Sequence, residues 1–193
     1  EDLDPSGEVV LDLCAAPGGK ATAMAAAGAS VIAADLRPSR LGLVGDNAER
    51  LGHDIALVAA DGRLPPFRAG SFDRVLVDAP CSGLGVLRRR ADARWRTGPA
   101  DVEELADLQL DLLTAAAGLV RPGGLLFYSV CTLTSAETAG VDRRFREATG
   151  VRPGPALGQP WRPHGDDGAG GLLLPQDLDS EGMAIFRYRI DSA

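Results

Sequence analysis

Five short apolar runs, each ending at a polar or reactive residue and most leading through a turn into a helical stretch, constrain this chain more than any other feature. The runs are Val9–Leu13, Val31–Ala34, Ile55–Ala59, Phe72–Val77 and Leu125–Val130. They end at or near Cys14, Asp35, Asp61, Asp78 and Cys131. Continuous β-branched and apolar runs alternating with helices describe a parallel sheet covered on both faces. The last stretch, Met183–Ile190, alternates loosely and suits an antiparallel edge strand. The expected fold class is therefore α/β, a doubly wound and mostly parallel sheet with an antiparallel C-terminal strand. In such sheets ligands bind at the carboxyl ends of the strands. A polar or reactive group recurring at all five ends is evidence of function that any one of them alone would not give.

Helix signals fill the intervals. A helix is expected over Pro38–Leu51 before Gly52, and another over Asp101–Leu119. In the second, Val102, Leu105, Leu108, Leu112, Leu113 and Ala116 recur at helical spacing. Asp101 with Glu104 reads as a capping box, and Pro122-Gly123-Gly124 as the stop. A further helix is expected over Ser135–Thr149, and a Gly- and Pro-rich loop over Val151–Gly171. No repeat and no dividing linker is evident, so residues 1–193 are read as a single domain of 193 residues.

Composition excludes several classes. Hydrophobic residues make up 45% of the chain, as in packed globular proteins. No apolar run approaches the roughly 20 residues of a membrane helix, and no signal peptide is visible. Cys14, Cys81 and Cys131 are odd in number and widely spaced, fitting neither a disulfide framework nor a zinc site. No metal is expected, and the default location is a reducing cytoplasm. The formal charge of −7 argues against gripping nucleic acid through bulk charge.

The turn Cys14-Ala15-Ala16-Pro17-Gly18-Gly19-Lys20 joins strand to helix through small residues. Paired glycines allow a ligand close to the backbone, and the helix N-terminus offers free N–H groups. It is also what an ordinary tight turn looks like. Its spacing is neither GxGxxG nor a phosphate-binding GxxxxGK[ST], which disfavours a nicotinamide dehydrogenase. Asp35, some way beyond, can accept from ribose hydroxyls or cap the helix opened by Pro38. Asp61-Gly62 is either a plain turn or a contact for an adenine amine. Asp78-Ala79-Pro80-Cys81-Ser82-Gly83 sets a carboxylate, a stiff proline and a thiol after a buried strand, and Ser129-Val130-Cys131-Thr132 supplies a second thiol. Either could be a packed core cysteine. Two strand-end thiols beside a nucleotide-like site suggest covalent catalysis.

Taken together, LDLCAAPGGK, VLVDAPCSGLGVLRRRADARW and FYSVCTLTSAE resemble three successive signatures of the Sun/Fmu-type RNA 5-methylcytosine methyltransferases, over roughly Leu11–Glu147. ADLQLDLLTAA is most similar to the bacterial 16S ribosomal RNA branch. The resemblance implies a Rossmann-like fold using S-adenosylmethionine, with RNA as partner and no membrane. It implies that Cys131 attacks cytosine carbon 6, that Cys81 assists product release, and that Asp78 lies by the methyl donor and the base. Lys20 would supply a positive charge there. Residues 14–20 (Cys14, Ala15, Ala16, Pro17, Gly18, Gly19 and Lys20), Asp35, Arg40, Asp61, Gly62 and Asp78 would form the cofactor site. DNA 5-methylcytosine enzymes place the nucleophile in a Pro-Cys loop after the fourth strand, a pattern that would nominate Cys81. Val130 departs from the commoner Thr or Ser. The resemblance further implies an RNA-binding region preceding the catalytic fold, where this chain has only the acidic Glu1–Glu8; RNA docking is expected to need that region. A tRNA-directed member of the same family and a non-catalytic RNA-associated module are the alternatives. Arg88, Arg89, Arg90, Arg94 and Arg96 around Trp95 form a local basic patch, suited either to RNA or to a solvated loop.

Overall fold

A computed structural model describes residues 4–191. Part of the acidic Glu1–Glu8 segment thus lies outside the described residues. In chain order the elements are β1 (Val9–Asp12), α1 (Gly19–Ala26), β2 (Ser30–Asp35), α2 (Pro38–Leu51), β3 (Ile55–Ala59), β4 (Phe72–Asp78), α3 (Ala93–Arg96), α4 (Pro99–Ala117), β5 (Val120–Val130), α5 (Ala139–Thr149), β6 (Arg152–Pro153), β7 (Arg162–His164), β8 (Gly170–Leu173) and β9 (Met183–Arg189). They group into two compact units. The first holds the residues up to Asp78, Ala115–Leu126 and those from Ile190; the second holds Ala79–Thr114 and Phe127–Arg189.

The first unit is built on strands in the order β3-β2-β1-β4-β5. β1 pairs in parallel with β2 (Val10 opposite Val31) and with β4 (Leu11 opposite Val75), and β2 pairs in parallel with β3. Val10, Leu11, Ala33, Val75 and Val77 are buried, as strands covered on both faces require. Leu41, Val44 and Ala48, at helical spacing, turn one face of α2 onto Ala21, Val31, Ala33 and Ile55. Each Leu, Val or Ile among these contributes about 1.5–3 kcal/mol when fully buried. Pro38 opens α2, and Gly52 closes it in the left-handed conformation at φ 72°. Arg74, buried in β4, pairs with Glu8 and donates to the Asp4 carbonyl at 2.8 Å, which ties the N-terminal segment to the sheet.

The second unit holds strands in the order β5-β9-β8-β7, with β6 also on β9. The β6–β9, β7–β8 and β8–β9 pairs are antiparallel. Its core is aromatic. Phe145 of α5 meets Tyr188 edge-to-face at 4.9 Å, and Tyr128 stacks with Phe186 at 6.1 Å. Both buried tyrosine hydroxyls find partners: Tyr188 donates to Asp142 at 2.9 Å, and Tyr128 lies 2.6 Å from the Glu137 carbonyl.

The mixed α/β sheet and its antiparallel C-terminal strand agree with the sequence reading. Four details differ. The C-terminal strand is internal, between β5 and β8, because the segment read as loop over 151–171 supplies β6, β7 and the start of β8. These strands are two to four residues long, too short to show periodicity. β5 begins at Val120 and runs through Pro122-Gly123-Gly124, where Gly123 and Gly124 exchange hydrogen bonds with Ile190. Helix α4 begins at Pro99, so Asp101 lies inside the first turn and its carboxylate accepts from Gly98 N–H at 2.7 Å rather than capping from outside. Helix α5 begins at Ala139, because Ser135 to Thr138 form a bonded turn around the Glu137 side chain.

Candidate active site

Two groups of expected residues assemble, one in each unit. In the first, the β1–α1 turn is held from both sides. Asp35, at the end of β2, accepts from Ala16 N–H (3.2 Å) and Arg37 N–H (3.1 Å). Arg40 donates to the Ala16 carbonyl at 2.7 Å, and Asn47 to the Pro17 carbonyl at 3.0 Å. Asp35 and Arg40 therefore shape the turn, whichever ligand it receives. Gly18 precedes α1 at φ 105°, and a Cβ there would stand 3.0 Å from the Val44 backbone, so only glycine fits. Gly19 has open space where a side chain would be.

Lys20, in α1, reaches Asp78 at the end of β4 in a half-exposed ion pair of 2.6 Å. Cys14 is not poised to react: burial, then the charges of Asp12, Asp35 and Asp78, push its thiol up to about 12. Asp61 is engaged by the Arg63 guanidinium at 2.7 Å, which together with the Arg63 N–H lowers its carboxyl to about 2. Gly62, next to it, is buried.

Asp12 is a group that the sequence reading passed over. It is fully buried at the end of β1, and neither carboxylate oxygen makes a hydrogen bond of good geometry. Burial, then the nearby Asp78 charge, raise its carboxyl to about 7; Lys20 and the Cys14 N–H only partly oppose this. The available signal was a charged residue inside the apolar run VVLDL.

In the second unit the two strand-end thiols meet. Cys81 Sγ and Cys131 Sγ are 3.1 Å apart and both half-buried. The contact with Cys131, then burial, push the Cys81 thiol above its ordinary range. Beneath them lies a polar network absent from the sequence reading. Glu137 is wholly buried, and its Oε1 accepts from Ser82 N–H (2.8 Å) and Gln109 Nε2 (3.1 Å). Its Oε2 accepts from the hydroxyls of Ser82 (2.5 Å), Thr132 (3.1 Å) and Thr134 (2.8 Å). Gly85 adds a backbone tie: its N–H donates to the Cys131 carbonyl at 3.0 Å, and its carbonyl accepts from Gly182 at 2.9 Å.

The basic patch is partly neutralised. Arg88 pairs with Asp179, Arg89 with Glu181 and Arg96 with Asp92. Trp95 is 80% exposed, and the Arg94 guanidinium lies 4.8 Å from its ring centre.

Strand order, glycine turn and strand-end acids define a Rossmann-like fold with a nucleotide-type ligand site at its strand ends. Solved structures agree. The structure of PH0851 superimposes with a TM-score of 0.91 at 31% identity, over 96% of this chain and 43% of that one. That of NSun6 from Pyrococcus horikoshii with SFG gives 0.87 at 30% identity, over 97% and 49%. Ribosomal RNA small subunit methyltransferase B of Salmonella paratyphi B is 40% identical over 182 residues, 92% of this chain and 41% of its own length. Rv1407 of Mycobacterium tuberculosis is 52% identical over 134 residues, 67% of this chain and 29% of its own. The chain thus spans well under half the length of these curated relatives. The family described as 16S rRNA methyltransferase RsmB/F matches residues 3–153. The chain belongs to that family, whose cofactor is S-adenosylmethionine.

The residues present fit this cofactor on one observation. A buried carboxylate with two unpaired oxygens, Asp12, beside a glycine turn calls for a cationic partner, and the amino-acid end of S-adenosylmethionine carries an ammonium. Among the described residues no helix is long and apolar enough to cross a membrane.

Proposed function

We propose that the chain is the catalytic domain of a methyltransferase acting on carbon 5 of cytosine in RNA, with 16S ribosomal RNA as substrate and Cys131 as the attacking thiol. The observation that carries this reading is the meeting of two strand-end thiols, 3.1 Å apart, in a chain of an rRNA methyltransferase family. Carbon 5 of cytosine is a poor nucleophile. The Cys131 thiolate adds to carbon 6, forming a C–S bond and moving electron density onto carbon 5. S-adenosylmethionine, when bound, supplies the sulfonium methyl group. A base then removes the carbon-5 proton, the C–S bond breaks, and the thiolate is regenerated. Cys81, 3.1 Å from Cys131, would assist this release. Asp12, the Cys14–Lys20 turn, Asp35, Arg40, Asp61, Gly62 and Asp78 would hold the cofactor, and Lys20 and Asp78 would orient the base. Trp95 with Arg94 would stack on RNA bases. A cytoplasmic location belongs to the same reading.

The test is a denaturing gel of the protein with S-adenosylmethionine and ribosomal RNA carrying 5-fluorocytidine, whose fluorine blocks the final elimination. The wild type is expected to give a protein–RNA adduct and Cys131→Ala none. On unmodified RNA, Cys81→Ala is expected to accumulate the adduct. Adduct formation by Cys131→Ala would move the nucleophile elsewhere.

A further inference from the structure

We infer that Glu137 is the positioning residue that holds the two thiol-bearing loops in register, so that Cys81 and Cys131 act as a pair. The inference rests on the proposed thiol chemistry for its functional meaning, but its geometry stands apart from it. One carboxylate gathers five donors, and they come from three places. Ser82, which follows Cys81, gives two. Thr132, which follows Cys131, gives one, and Thr134 gives another. Gln109 of α4 gives the fifth and also donates to the Pro80 carbonyl at 2.8 Å, on the other side of Cys81. The peptide flanks of Cys81 are thus both fastened to the group that fastens Cys131.

A carboxylate suits this task better than a neutral acceptor. Hydrogen bonds to an ionised acceptor are roughly twice as strong as neutral ones. The side chain is fully buried, so no water competes for its oxygens. Truncation would leave several buried donors unpaired at once, and buried networks tolerate partial satisfaction poorly. None of the five bonds goes to a thiol sulfur. Glu137 therefore acts through the backbone and side chains next to the cysteines, not on the reacting atoms.

The test compares wild type, Glu137→Gln and Glu137→Ala in the intact protein, with three readouts. The first is the rate at which diamide, a thiol oxidant, joins Cys81 to Cys131, followed as the loss of two hydrogens by mass spectrometry. The second is kcat and KM on ribosomal RNA. The third is S-adenosylhomocysteine binding. Glu137→Ala is expected to slow both cross-linking and kcat by roughly 10- to 100-fold, as misplacement of reacting groups does. KM and S-adenosylhomocysteine affinity are expected to stay near wild type. Glu137→Gln, which keeps an acceptor and can redirect the hydroxyls, is expected to lose less. Cross-linking and kcat at the wild-type rate in Glu137→Ala would overturn the inference.

If Glu137→Ala fails to fold, the double variant Ser82→Ala/Thr132→Ala replaces it, since it retains the carboxylate and cuts one tie to each loop. Slower cross-linking in that variant supports the inference, and an unchanged rate overturns it. A slow cross-link in the variants, combined with no adduct from the wild type on 5-fluorocytidine RNA that it is shown to bind, supports the tie and overturns the thiol-catalysis reading instead.

Discussion

Asp12 illustrates how much a single buried charge can decide. A carboxyl group raised from its usual 3.8 to about 7 keeps its proton in the folded protein at pH values where the unfolded chain has lost it. The folded state then binds more protons, so stability falls as pH rises from about 4 to about 7, by an amount on the order of a few kcal/mol. Asp12→Asn is expected to flatten this slope in thermal melts of the unliganded protein recorded from pH 5 to pH 8. The same substitution removes the unpaired charge that fits the cofactor ammonium. S-adenosylhomocysteine affinity is expected to fall roughly tenfold or more, the worth of one hydrogen bond to a charged group. Calorimetric titration at pH 8 checks this, and an unchanged affinity would take Asp12 out of the cofactor site.

At the scale of the element, the connection after β4 has as little freedom as a strand. A Cβ on Gly85 would stand 2.2 Å from the Gly182 carbonyl oxygen and 2.9 Å from that of Cys131. Both are backbone atoms, so the connection itself must move. Gly85→Ala is expected to cost about 1–3 kcal/mol of stability, as overpacking does. It should also displace the Cys131 carbonyl and slow adduct formation on 5-fluorocytidine RNA, while leaving S-adenosylhomocysteine binding intact. Adduct formation at the wild-type rate would show that the loop can give way without moving the thiol.

Elements also mark the limit of what periodicity reveals. Strands β1 to β4 and helix α2 were readable because each apolar run ends at a Cys, an Asp or a Gly within a residue or two of the true boundary. The N-terminal half of β5 was hidden by Pro122-Gly123-Gly124, a stop signal that pairing with Ile190 overrides. Both thiols and the glycine turn stood out because their residue types are rare at strand ends. Glu137 did not, because SAE reads as an ordinary helix start until burial reveals five donors around one carboxylate. Ser82 and Thr132 were equally silent, their role existing only in the company of that acid.

For the whole molecule, the cofactor reading has a direct thermodynamic consequence. A ligand that binds only the folded state adds about 2.7 kcal/mol at a hundredfold excess over its Kd. For a chain of this length that corresponds to a rise in Tm of roughly 5–10 °C. S-adenosylhomocysteine is expected to produce such a rise with no RNA present, and a nicotinamide dinucleotide none. A shift from the dinucleotide alone would count against the proposed cofactor residues of this chain.

The pairing of Lys20 with Asp78 has one more consequence. The chain of 193 residues contains nineteen arginines and this single lysine, which sits at 2.6 Å from a carboxylate in the group of residues read as the cofactor site. Guanidinium groups do not react with acylating reagents under conditions that modify amines. Within these 193 residues the one side-chain amine is therefore a built-in address: an amine-directed fluorophore or isotope tag on this chain would label this one corner, beside the α-amino group, and report its occupancy without any engineered residue.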